Sequence, residues 1–277
     1  MMAPEFSGWR TGATVLLATL FSACSFGGPA YWVEDLQTHT VKAQGVDRIK
    51  CRTHNGDVST AGAASAETIE VMVKTMAGGR DEVDAKDCLA AIEVQLETRD
   101  ETLWLSWDWK SAKASDWGAQ VSFDVRHPKG LALVLRTHNG DVKALDADAS
   151  MNIATHNGDV RLQGRGGPTK VSTHNGDVHA SIEAPHVKVM THNGDVHVGL
   201  TGQRMVEGEL KTFNGDVVLA LDSGLSTEVA CRTSNGGVYN RAQQGSFTVS
   251  ERTLNGIVGS GGGRLEVESN NGSITVR

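Results

Sequence analysis

The chain has 277 residues, of which 39% are apolar and 21% charged, and its formal net charge is -7. This composition fits one large or two ordinary globular domains and excludes a disordered chain, while an acidic balance without a basic stripe leaves no footprint for nucleic acid. Thirty-two glycines against five prolines, with aromatics at 5%, point to many turns and thin layers of small or branched side chains, as in an all-β protein.

Arg10 precedes "TGATVLLATLFSAC", an apolar stretch too short to span a bilayer and ending in small residues, so residues 1–23 read as a secretory signal peptide. Phe21-Ser22-Ala23-Cys24 resembles the lipobox of bacterial lipoproteins, with Phe21 where that motif prefers Leu. The resemblance implies lipidation of Cys24, a lipidated linker over 24–36, and an exported protein held to a membrane through its anchor. Ser25 after the Cys resembles the outer-membrane sorting pattern, should the cell have two membranes. Plain secretion is the other reading.

The hexamer "THNGDV" occupies 53–58, 137–142, 155–160, 173–178 and 191–196, and "TFNGDV" follows at 212–217. Asn-Gly recurs at Asn55, Asn139, Asn157, Asn175, Asn193, Asn214, Asn235, Asn255 and Asn271. From Asn139 the interval is 18 for three steps, then 21, 21, 20 and 16, a period that signals stacked repeats. The turn pairs Asn139-Gly140, Asn157-Gly158, Asn175-Gly176 and Asn193-Gly194 are expected to build one corner per coil, Gly supplying a positive φ and Asn pairing with its copies above and below. A hairpin is the rival reading of Asn-Gly, but a near-constant interval with an identical core phase favours parallel stacking.

Flanking residues alternate and assign the core. Cys51, Leu135, Ile153, Val171, Val189, Leu210, Cys231 and Val267 precede the corner; Val58, Val142, Val160, Val178, Val196, Val217, Val238, Val258 and Ile274 follow it. Ile49, Leu133, Met151, Val187, Val229, Val249 and Leu265 continue the inward phase, as does an inner stack of Thr137, Thr155, Thr173, Thr191, Thr212, Thr233 and Thr253. Glu251 breaks this phase and predicts a bulge. Residues 37–132 contain the first Asn-Gly corner but otherwise follow an irregular plan, with a short helix beginning in "RDEVDAKDCLAAIEV" and Trp104, Trp107, Trp109 and Trp117 gathered to cover the open end. Residues 133–277 form the regular coils. The chain stops at Arg277 directly after Val276, which predicts an uncapped last coil.

The expected fold is therefore all-β: a single-stranded parallel β-helix, or β-solenoid, with an irregular N-terminal capping section containing one short helix. "HPKGLALVLRTHNGDV", the Asn-Gly-Asp-Val coils after it and the short helix before a paired strand resemble the bacterial putative-adhesin family of unknown function, similar to the head GIN adhesin-like domains, over about residues 37–277. The resemblance implies a parallel β-helix. It carries over no catalytic residue.

His54, His138, His156, His174 and His192 precede the Asn residues, and Asp57, Asp141, Asp159, Asp177 and Asp195 follow the Gly residues, all with outward parity. Two exposed columns are expected, with His179 and His197 on the same outer face. Imidazole beside carboxylate suits a divalent metal, so a metal-binding module is one reading; polar residues tolerated at a corner are the plainer one. Copied polar groups do not make the unrepeated cluster that catalysis needs, and no cofactor is implied. The favoured function is a non-enzymatic, exported lipoprotein whose adhesin-like surface binds or scaffolds an envelope or extracellular glycan or protein. End-to-end self-assembly, a homo-oligomer through the C-terminal coil, is a further alternative. Among Cys51, Cys88 and Cys231, an odd number leaves one thiol unpaired; Cys51 with Cys88 remains an open disulfide pairing, while Cys51 and Cys231 lie too many coils apart.

Overall fold

A computed structural model describes residues 10–11, 15–19, 29–64, 66–110, 118–202 and 205–277. From residue 132 to 221 each coil is two short strands joined at the Asn-Gly corner, beginning with Ala132–Arg136 and Val142–Ala147 and ending with Glu207–Asn214 and Val217–Leu221. Strands before the corner stack into one sheet and strands after it into another, so each coil has two faces. Neighbours are parallel and in register: Leu133 lies beside Met151, and Val142, Val160, Val178, Val196 and Val217 form a continuous file.

This register follows from period-two patterning, because a slip of one residue would turn every inward side chain out. Leu135, Ile153, Val171, Val189 and Leu210 are buried between the sheets, and so is the valine file opposite them. Each fully buried Val or Leu contributes roughly 1.5–3 kcal/mol, so a two-strand coil is held mainly by the few aliphatic residues it lays on its neighbours.

The capping section is more orderly than its sequence suggests. Arg48–Arg52 and Val58–Ala63 form a regular coil beneath the Asn139 coil, and Thr102–Trp109 and Ala119–Pro128 stack parallel beneath that. Beyond them the sheets turn antiparallel: Ile92–Arg99 pairs with Thr102–Trp109, Thr68–Gly79 with Ala119–Pro128, and Tyr31–Lys42 with Thr68–Gly79. The helix Glu82–Ala90 packs on the last two of these strands, and its Asp81 N-cap accepts from the Asp84 amide at 2.8 Å. Trp107 and Trp109 pack half-buried against the core, whereas Trp117 lies outside the described residues. Arg10–Thr11 and Val15–Thr19, within the stretch read as a leader, pair antiparallel with Tyr31–Lys42, whose free backbone edge they occupy. The rest of that stretch, and Cys24 after it, lie outside the described residues.

Five expectations fail at the C-terminal end. Thr253–Val258 does not form a coil: it runs antiparallel to Thr227–Asn235 and is joined by residues 250–252 to Ser246–Val249, and Asn255-Gly256 lies inside the strand, making neither a solenoid corner nor a hairpin turn. Glu251 lies in this turn rather than in a bulge, Thr253 leaves the inner stack, and Val249 is exposed. The last coil, Arg264–Asn271 with Ile274–Val276, is not terminal in the stack. It lies between the Asn214 coil and the Asn235 coil, both of its strands paired on both sides, which removes the open edge required for self-assembly through it.

The cysteine pairing is also corrected. Cys51, Cys88 and Cys231 are all free and buried. Cys51 sits inside the first coil, while Cys88 is on the helix that packs against the antiparallel extension of the other sheet. Burial pushes all three thiols up, Cys231 to about 12.

Candidate functional site

Every position of the repeated hexamer has a separate task at the corner. The Thr hydroxyl donates to the Gly carbonyl of the coil below, from Thr137 to Gly56 through Thr212 to Gly194, at 2.9–3.1 Å. Ser269 and Thr233 continue this file at 2.9 and 2.7 Å. The Asn amides form a ladder through Asn55, Asn139, Asn157, Asn175, Asn193, Asn214, Asn271 and Asn235, each donating to the preceding side-chain carbonyl at 2.7–2.8 Å. Gly is required because the coils touch there: Gly158 has φ 158°, and a Cβ on it would run into the carbonyl of Gly140.

The Asp column is exposed in part but committed internally. Asp57 accepts from the Asp141 amide, and the pattern repeats through Asp141, Asp159, Asp177, Asp195 and Asp216, the last accepting from Ser273, at 2.7–2.9 Å. These carboxylates bond each coil to the next with charge-assisted hydrogen bonds. The His column stands free of that work. His54, His138, His156, His174, His192 and then Phe213 are exposed and stack with centroids 4.7–4.9 Å apart and ring planes within 4° of parallel.

Among the described residues no three His, Cys, Asp or Glu side chains come together as a metal would need. The reason is the stacking itself: rings repeated by translation share no centre, and the adjacent carboxylates serve backbone amides. His179 and His197 meet edge to face on the sheet after the corner, with Nδ1 of His197 3.1 Å from Nε2 of His179. His39 and His127 are interior, and burial lowers the pKa of both.

Sequence reading missed a second feature that joins the His column. On the sheet before the corner a trough of about 800 Å³ runs into a groove of about 1240 Å³ that reaches His54, His138 and His156. Ala132, Val134, Asn152 and Ala154 are half-buried within these hollows, and Arg48, Lys50, Arg52, Arg136 and Lys170 project from the same face. Lys50 and Arg99, from the two strands flanking Thr102–Trp109, lie 4.1 and 4.4 Å from the Trp104 ring centroid. The available signal was "RIKCR" at 48–52, whose outward positions are all basic; its meeting with Arg136 and Lys170 depends on coil register.

The molecule is thus a two-faced β-solenoid with a repeated, hydrogen-bonded corner and an outer surface of displayed aromatic and cationic groups. Residues 38–277 match the Toastrack DUF4097 family, to which the chain belongs. No curated protein matches it. Similar solved structures include a putative cell adhesion protein from Clostridium sporogenes, 12% identical with TM-score 0.42, covering 88% of this chain and 98% of that one. A putative adhesin from Bacteroides fragilis is 13% identical with TM-score 0.45, covering 87% and 97%. A putative lipid binding protein from Parabacteroides distasonis is 10% identical with TM-score 0.29, covering 87% and 97%.

Proposed function

We propose that this chain is a non-enzymatic, exported, adhesin-like module that binds an envelope or extracellular component through the outer surface of its stack, with lipid on Cys24 as its membrane anchor. The observation that carries this reading is the division of labour at the corner. The carboxylates are spent on holding coils together, while five imidazoles and Phe213 stay exposed in one regular file. A file of identical groups gives a repeating ligand several equivalent contacts, and weak contacts add when they are linked. Catalysis needs the reverse, one unrepeated convergence of acid, base or nucleophile.

The chain from Ser25 to Arg277, immobilised and exposed to an envelope extract and a glycan panel, is expected to retain at least one component, and H156Q/H174Q/H192Q to retain less of it. Retention of nothing dismisses the reading. Cys24→Ser is expected to move the full chain from the membrane fraction to the soluble one; unchanged fractionation removes the anchor.

A further inference from the structure

The cations on the sheet before the corner are arranged unlike those elsewhere on the same sheet. Towards the C-terminal coils cations are answered by glutamates: across the strands Lys188 by Glu209 at 2.9 Å, Lys211 and Arg232 by Glu268 at 2.7 and 2.8 Å and His186 by Glu207 at 2.7 Å, and within one strand Arg264 by Glu266 at 3.0 Å. Around the Asn55 and Asn139 coils the answer is missing. Arg52 and Arg136 are register partners on adjacent strands, both exposed, and the outward positions of 48–52, 132–136, 151–154 and 169–172 contain no acid. Like charges directly opposite each other in a sheet are destabilising. A chain with net charge -7 nevertheless places five cations here, over a patch roughly 13 Å along the strands and about 14 Å across them.

We propose that the N-terminal end of this trough, away from Glu207, Glu209 and Glu266 at its other end, binds an acidic polysaccharide together with the groove it runs into. The carboxylates lie against Arg48 and Lys170 of the trough and Arg52 and Arg136 of the groove, and the C–H faces of the sugar rings on the floor of Ala132, Val134 and Ala154. The proposal rests on the adhesin-like reading and names the ligand class and the place. Two features select this ligand over other polyanions. The floor is made of small, largely apolar side chains flanked by cations, matching a polymer with apolar ring faces and peripheral charge. Trp104 is held between Lys50 and Arg99, so it fixes those cations instead of offering the free aromatic platform on which nucleic-acid bases stack. The groove's continuation to His54, His138 and His156 gives a long chain a path onto the imidazole file.

The test is calorimetric titration of the full chain with polygalacturonate, and with dextran, polyglutamate and single-stranded DNA as comparators, at low and at physiological salt. Polygalacturonate is expected to bind, more weakly as salt rises, and to outcompete each comparator by about tenfold or more. R52S/R136S is expected to lose about tenfold in affinity, Arg136→Lys to stay close to the parent, and Lys211→Ser, which removes a cation already paired with Glu268, to change nothing. Equal binding of polyglutamate or DNA overturns the sugar assignment, and equal loss in Lys211→Ser overturns the site. No binding of polygalacturonate overturns the proposal while leaving the adhesin-like reading standing, provided the envelope extract still yields a retained component.

Discussion

Coils from Ala132 to Leu221 and coils after Leu221 use the same corner, yet only the first group keeps chain order within itself. Between residues 132 and 221 each coil after the first lies on the one that precedes it in sequence, and the first lies on the Asn55 coil, beneath which the later strands Thr102–Trp109 and Ala119–Pro128 are placed. After Asp222 the chain makes the outermost coil first, closes its edge with the antiparallel strand Thr253–Val258, and returns to place its last coil inside. The Asn ladder does not register the change, passing from Asn214 to Asn271 to Asn235 at 2.7 and 2.8 Å. Corner bonds therefore specify register but not sequence of stacking. The charges match the observed order: chain order would set Lys211 beside Arg232, whereas the observed order puts Glu268 between them in register. The outermost coil also has Gly237 where the others carry Asp or Ser, in keeping with its having no further coil to hold.

The sharpest way to break this comparison is to block a corner. In Gly176→Ala the new Cβ would meet the Gly158 carbonyl, and a loss of about 3 kcal/mol or more is expected in urea unfolding. Gly199→Ala, whose nearest contact would be 3.8 Å away, should be neutral or slightly stabilising. Gly272→Ala meets the Gly215 carbonyl in the same manner, but in the inserted coil. Hydrogen exchange is expected to show protection lost over 264–277 while 133–221 stays protected, and uniform loss would mean the two regions are one cooperative unit.

Glu268 tests whether charge orders the coils. The Lys211 hydrogen bond, its charge, and then Arg232 hold the Glu268 carboxyl below the usual range. A depressed carboxylate stabilises the fold above its unfolded pKa, near 4.3, and loses that contribution as pH falls through the lower folded value. Glu268→Gln should flatten this acid limb in pH-dependent unfolding. Glu268→Lys, with three cations in a row, should open the coil at neutral pH; an unchanged exchange pattern would remove charge as the ordering force.

Much of the fold was legible because the repeat is literal. Identical hexamers at 18-residue spacing declare stacked coils, and alternating flanks declare the core, down to Leu135, Ile153 and Val171. Coil order was not legible, since no local pattern encodes which coil Glu268 faces after folding. Asn255 misled for a related reason: an Asn-Gly pair need not turn at all and here lies inside a strand paired on both sides by antiparallel neighbours, and Glu251 marked the exception without naming it. At the surface, His and Asp looked equivalent because parity says only which way a side chain leaves the strand. Their separation came from the backbone amides beside Asp141, Asp159 and Asp177, which parity does not reveal.

The Asn ladder offers a smaller contrast between the interior and the end of the stack. Asn175 donates to Asn157 and accepts from Asn193, whereas Asn235 donates to Asn271 and ends the file. Asn175→Ala should cost roughly 1–3 kcal/mol, because two partners lose their bonds, and Asn235→Ala about half as much. Equal costs would indicate that water replaces the amide in this exposed file.

The smallest expected effect has the opposite sign. Arg136→Thr removes one of two like charges that face each other across adjacent strands, and Thr suits a sheet better than most polar residues. A gain of a few tenths of a kcal/mol is expected at low salt, fading as ionic strength rises because both side chains are exposed. The equivalent change at Lys211, Lys211→Thr, removes a cation paired with Glu268 and should give a small loss instead. Opposite signs at two solvent-facing cations of one sheet would mean that the N-terminal coils keep a charge the fold itself does not use. A loss at both positions would mean that Arg136 has a stabilising partner within the protein and needs no ligand to explain it.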